Sequence, residues 1–137
     1  SNPYVYLNKA KLFAFSSLFE GLGNILLEAM ACGVPIISTD CDSGPRELLH
    51  PNRNIEDTGK AKEVIYGEYG VLAPVYDGKE YNADEELTKE EVMYSQAIIR
   101  LLNDKSLLSS YKEKSIRRGD DFFVDKIVQQ WIDLIEC

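Results

Sequence analysis

Two carboxylates, Glu20 and Glu28, stand seven intervening residues apart within residues 19–49, FEGLGNILLEAMACGVPIISTDCDSGPRELL. Between them lie a Gly-x-Gly turn, Gly21-Leu22-Gly23, and then Asn24 and Ile25 at a helix start. A carboxylate accepts two hydroxyl hydrogen bonds at once, so each acid suits a sugar or a ribose diol. The first N–H groups of a helix lack intrahelical partners, and the helix dipole favours an anion beside them. Those of Leu22, Gly23, Asn24 and Ile25 therefore suit a diphosphate, and the two glycines let backbone come close to it. The chemistry indicated is recognition of a phosphorylated, hydroxyl-rich ligand. Each part also has a plainer reading. Glu20 can serve as a charge favourable to the helix N-terminus, Glu28 can face solvent, and glycine pairs occur in many turns.

The elements that hold these residues follow from periodicity. Leu12-Phe13-Ala14-Phe15 is a short apolar run closed by Ser16-Ser17, and reads as a buried parallel strand. Leu22, Ile25, Leu26, Ala29 and Met30 then recur at helical spacing, with Gly33 as the stop and Pro35 beyond it. A carboxylate in such a buried helix is costly unless something polar meets it. Val34 to Thr39 is the next strand, so strand, helix and strand form a parallel βαβ unit. Ser43-Gly44-Pro45 opens a short helix through Leu49. Residues 50–69 show no sustained period and read as an exposed loop. Residues 69–74 form a third strand, and 76–86 an acidic loop. Thr88 with Glu91 is a capping box for a helix to about Asn103, with Tyr94, Ala97, Ile98 and Leu101 inward. Asp104 or Ser106 caps the next, which Gly119 ends. Val124, Ile127, Val128, Trp131, Leu134 and Ile135 give the last helix a nearly unbroken apolar stripe. That stripe fits its own sheet and a further domain equally well.

Composition narrows the classes. The 137 residues make one domain or a large part of one, and 45% hydrophobic content supports a real core. A net charge of −8 with no basic patch argues against nucleic acid. Three cysteines, Cys32, Cys41 and Cys137, form no spaced framework and suggest a reducing compartment. Cys32 and Cys41 read as buried small hydrophobes. The single His50 leaves no His-rich metal site and no Ser-His-Asp triad. No apolar run reaches the length of a membrane span.

The pattern as a whole resembles the C-terminal signature of retaining glycosyltransferases of the GT-B fold, group 1 or family 4. The resemblance rests on Ser16-Ser17, Glu20-Gly21-Leu22-Gly23, Leu27-Glu28-Ala29-Met30-Ala31-Cys32-Gly33, Pro35-Ile36-Ile37, Ser43-Gly44-Pro45 with Glu47, and Gly70-Val71-Leu72-Ala73-Pro74. It implies an α/β fold: part of a Rossmann-like parallel sheet, about three strands with flanking helices. Residues 1–137 would be a single partial domain, the later portion of the nucleotide-sugar-binding domain. The resemblance also implies roles. Glu20, the catalytic position, contacts the donor sugar's hydroxyls. Gly21, Leu22, Gly23, Asn24 and Ile25 face sugar and diphosphate, and Glu28 holds the ribose. Leu22 stands where an aromatic is more usual. Arg46 does not match the family's basic pair and reads as a surface or helix-end residue.

The expected substrate is a nucleotide diphosphate sugar, UDP- or GDP-linked, with no cofactor and no bound metal. The acceptor, a glycan or lipid-linked chain, would be read by the absent N-terminal domain. This portion alone is therefore expected to be inactive, with the longer parent a hexosyl-type transferase of polysaccharide biosynthesis. The parent is expected in the cytoplasm or at the inner membrane face. An unpaired sheet edge would invite self-association or covering by a loop. A second class of function is a non-catalytic interaction module that keeps the fold. The intact Glu20 and Glu28 argue for the enzyme. A different GT-B enzyme, such as an epimerase or phosphorylase, fits the Glu-Ala-Met-Ala-Cys-Gly run less well.

Overall fold

The β-branched run before Asp40 forms β2, Ile36–Thr39, and it is buried along its whole length. The computed structural model describes residues 2–52 and 59–136. Among them four strands make one sheet, ordered β1-β2-β4-β3, with β1 at Phe13–Phe15, β3 at Ile65–Tyr66 and β4 at Val71–Ala73. β1, β2 and β4 are parallel, with Phe13 opposite Ile36 and Ile37 opposite Val71. β3 returns antiparallel to β4, Ile65 opposite Leu72.

Two expectations need correction here. β1 is an edge strand in the described sheet; Phe13 and Phe15 pack on the α2 layer, whereas Ala14, on the opposite face, is left exposed. The stretch read as an irregular loop contains β3. Two residues are too few to show a period, and pairing with β4 makes the strand. Residues 53–58 of that stretch lie outside the described residues.

Side-chain alternation along the strands divides the core into two layers. Ile36 and Leu72 face α2, Asn24–Ala31, and α3, Pro45–Leu49, where Leu26, Ala29, Met30, Leu48 and Leu49 are buried with them. Ile37, Val71 and Ala73 face the other way, onto Tyr94, Ala97, Leu101 and Tyr111. The last four belong to α4, Lys89–Asn103, and α5, Lys105–Gly119. An eight-residue helix is too short to persist alone in water. α2 is held by Leu26 and Met30, each contributing about 1.5–3 kcal/mol by burial.

The expected capping box is present. Thr88 Oγ1 accepts from Glu91 N at 3.3 Å and Thr88 N donates to Glu91 Oε2 at 2.7 Å. Asp104 Oδ1 accepts from Leu107 N at 2.9 Å and caps α5. Gly119 does not end α5 by a left-handed turn. It keeps helical angles, and the chain runs on into a 3-10 turn, Asp120–Phe122. Met30 and Ala31 backbone lies 3.2–3.3 Å from where a Cβ on Gly119 would sit, so glycine serves close helix approach there. Arg118 then reaches back to the end of α3. Its Nη2 donates to Glu47 O at 2.9 Å and its Nε to Leu48 O at 3.2 Å. α6, Val124–Ile135, has no buried residue, and Val124, Trp131, Leu134 and Ile135 are more than half exposed. Its stripe does not pack on the described sheet.

Candidate functional site

The loop after β1 and the start of α2 lie at the carboxyl end of the parallel strands, where open α/β sheets place their ligands. Gly23 caps α2 with φ 75° and ψ 59°, a left-handed geometry that glycine adopts without strain. Glycine brings no capping side chain, and no hydrogen bond occupies the N–H groups of Asn24 and Ile25 among the described residues. The helix start is thus left open. Gly21, Leu22, Asn24 and Ile25 are all exposed around it.

The expected core stripe therefore splits. Leu26, Ala29 and Met30 are buried, whereas Leu22 and Ile25 are 45% and 42% exposed. The first turn of α2 projects beyond the strand ends, so its apolar positions overlook the open shelf. Glu20 and Glu28 are half-buried on that shelf. Ser17 Oγ lies 2.8 Å from Glu20 Oε1 and 2.9 Å from Phe19 O, which sets the direction of the Glu20 carboxylate. Thr39 Oγ1 donates to Ser17 O, tying that loop to the end of β2. A parallel bridge between Phe19 and Asp42 adds a second tie. Phe19 itself is 76% exposed.

The loop between β2 and α3 supports the glycine turn from below. A Cβ on Gly44 would stand 2.5 Å from both Gly21 O and Leu22 O, so only glycine lets the two loops meet. Beneath lies a buried ion pair. Asp40 Oδ1 accepts from Arg46 Nε at 2.7 Å, Asp40 Oδ2 pairs with Arg46 Nη2 and accepts Ala61 N at 2.6 Å. Arg46 Nη2 also donates to Gly59 O at 2.9 Å. Arg46 stands at a helix end, as one of its two readings had it, and the pairing corrects only the other reading, as a surface residue. A guanidinium on a fully buried carboxylate orders the loop rather than facing a ligand. Burial, and then the charge of Glu20, push the Cys41 thiol pKa up, so Cys41 is a packed neutral group and no nucleophile. Cys32 is only half-buried.

Sequence reasoning missed Ser17, Gly44 and Asp40 as parts of the site. Ser17 is three residues from Glu20, a spacing that could have signalled a side-chain bond. The contact of Gly44 with Gly21 and Leu22 and the Ala61 N–H that meets Asp40 come from more than 20 residues away, and no local signal marks them. Arg46 is only six residues from Asp40, but the burial that pairs them is set by the packed layers. No three His, Cys, Asp or Glu side chains converge among the described residues. No described helix is long and apolar enough to cross a membrane.

Residues 2–104 match the family model described as glycosyl transferases group 1. An uncharacterized glycosyltransferase of Methanocaldococcus jannaschii is 38% identical over 98% of this chain and 33% of its own length. N-acetylgalactosamine-N,N'-diacetylbacillosaminyl-diphospho-undecaprenol 4-alpha-N-acetylgalactosaminyltransferase of Campylobacter jejuni is 32% identical over 94% of this chain and 28% of its own length. The chain thus spans about a third of the length of these relatives. Among solved structures, Anabaena HepE in complex with UDP superposes with a TM-score of 0.67 at 20% identity, over 96% of this chain and 29% of that one. Sucrose-phosphate synthase from Thermosynechococcus elongatus gives a TM-score of 0.67 at 22% identity, over 96% and 26%. These neighbours have the GT-B fold, and at such identity the likeness is one of fold.

Proposed function

The chain belongs to the group 1 glycosyltransferases, and from that premise we propose that it is the donor-binding portion of a retaining enzyme. The observation that carries this reading is the open helix start between two half-buried carboxylates. In this reading the diphosphate lies on the free N–H groups of Asn24 and Ile25, where backbone donors and the helix dipole stabilise its charge. Glu28 accepts the ribose hydroxyls, and Glu20, held by Ser17, accepts those of the sugar. Gly21, Leu22 and Gly23 give the close backbone approach. The donor is a UDP-sugar: a structural neighbour is a complex with UDP.

The reaction proposed for the longer parent is a same-face displacement. The bond from the anomeric carbon to the diphosphate oxygen breaks, an acceptor hydroxyl forms its bond on that same face, and the leaving diphosphate takes the hydroxyl proton. Glu20 orients the sugar and stabilises charge, without forming a covalent bond. The acceptor is a glycan or a lipid-linked chain, as the name of the Campylobacter relative suggests, and the transferred group is a hexosyl unit. The acceptor domain and the leaving-group cations lie outside residues 1–137, so this chain alone binds donor without transferring it.

The test is titration of the 15N-labelled chain with UDP, GDP and ADP. UDP is expected to shift the amides of residues 21–28, and Glu28→Gln to weaken UDP binding by about tenfold, the loss of a charge-assisted hydrogen bond. An unmoved 21–28 segment with all three nucleotides would sink the proposal and favour a non-catalytic module.

A further inference from the structure

A cavity of about 460 Å³ opens at the carboxyl end of the sheet, beside the loop that carries Glu20. Ser16 and Leu18 of that loop form one wall, and Tyr76 and Tyr81 of the segment after β4 form another. Thr88 and Glu91 at the start of α4 close it. The volume falls within the roughly 300–1,000 Å³ of small-molecule sites. The segment after β4 folds back onto the Glu20 loop at Gly78, where a Cβ would meet Leu18 Cδ1 at 3.7 Å.

Most charges lining the cavity already have protein partners. Asp77 accepts from the Tyr81 hydroxyl at 2.7 Å and from Lys79 N at 3.1 Å, and pairs with Lys79 Nζ at 3.3 Å. Glu91 is taken up by the capping box. A charged ligand would have to break these bonds. What remains open is suited to a neutral polyol. The hydroxyls of Tyr76 and Ser16 and the Glu80 carboxylate have no hydrogen-bond partner among the described residues. The Tyr76 ring packs on Tyr94, 5.9 Å between centroids, while Tyr81 is 43% exposed and adds apolar surface for C–H groups. Burial, followed by the charge of Glu91, raises the Tyr76 pKa, so its hydroxyl keeps its proton and can donate.

We infer that this cavity is a subsite for one neutral sugar ring of the acceptor, placed beside the donor sugar by the shared run Ser16-Ser17-Leu18 and adding to the contacts that the separate acceptor domain supplies. The inference rests on the reading of Glu20 as the donor-sugar acid.

The probes are methyl N-acetyl-α-galactosaminide, methyl β-glucuronide and UDP, each titrated into the 15N-labelled chain. The neutral glycoside is expected to shift the amides of Ser16, Leu18 and residues 76–81, with the glucuronide bound more weakly. Tyr76→Phe, which keeps the ring, should weaken the neutral glycoside by about threefold to tenfold, one neutral hydrogen bond. An unmoved 76–81 segment, equal binding of the glucuronide, or unchanged affinity in Tyr76→Phe would overturn the inference. A UDP response without a glycoside response rejects the subsite and leaves the donor reading standing. A glycoside response without a UDP response would overturn the donor reading and the acceptor role together, leaving only a sugar-binding cavity.

Discussion

Gly44 offers a sharp perturbation, because its replacement strikes the site through backbone alone. It has φ 71° and ψ −77°, the rare γ-turn region that side chains avoid. Alanine there would carry about 1–3 kcal/mol of conformational strain. Its Cβ would also stand 2.5 Å from Gly21 O and Leu22 O and 2.8 Å from Leu22 C. These are backbone atoms and cannot rotate away, so the glycine turn must shift, at a further cost of about 1–3 kcal/mol. The sum for Gly44→Ala is roughly 2–6 kcal/mol, against a total stability of about 5–15 kcal/mol for a domain. Gly21→Ala is the matched control. Nothing lies within 4 Å of a Cβ at Gly21 and its φ is outside the left-handed region, so folding stability should change by no more than about 1 kcal/mol. That methyl nevertheless stands on the shelf proposed for the donor, so UDP affinity should fall. Urea unfolding followed by far-UV circular dichroism measures both variants, since Trp131 is 62% exposed and reports folding poorly. A loss below about 1 kcal/mol in Gly44→Ala would refute the tight loop contact. Full UDP affinity in Gly21→Ala would refute the backbone approach.

Arg46→Ala strands the buried Asp40 carboxylate with the Ala61 N–H donor, and should cost about 3 kcal/mol in the same unfolding assay. The low end of the range for broken buried pairs applies because the Arg46 side chain is 23% exposed. Alkaline stability should depend on Tyr111, whose pKa burial pushes up from 10.0 to about 12, with a smaller contribution from Tyr66. Between those values the folded state holds a proton that the unfolded state has lost. Stability is therefore intact below pH 10 and falls as pH rises towards 12, by up to about 1.4 kcal/mol per pH unit. Tyr111→Phe should flatten that slope, and an unchanged slope would contradict the assignment.

Local signals made much of the fold legible. Thr88 and Glu91 announced α4 because a capping box is complete within four residues. The run over β2 announced a strand because Ile36, Ile37 and Thr39 are β-branched and turn residues bound the segment. β3 could not be seen, since Ile65 and Tyr66 become a strand only by pairing with β4. The stripe of α6 read as a packing face, but amphipathicity says that a face is apolar and not what covers it. Arg46 misled for a related reason. A cation at a helix start in sequence looks solvated, and its partner Asp40 is buried by layers assembled from distant segments.

The amino-acid sequence by itself determined the family, the two carboxylates, and the glycine turn between them, because motif spacing and helical period are local properties. The tertiary structure alone decided which of those residues are presented. It left the N–H groups of Asn24 and Ile25 open, turned Leu22 and Ile25 outward, aimed Glu20 through Ser17 and set Gly44 beneath the turn. It also brought Tyr76 and Tyr81 beside Ser16 and Leu18. Exposure and contact between loops depend on how whole layers pack. No window of sequence around Glu20 contains the residues of β2, α3 and α4 that set them.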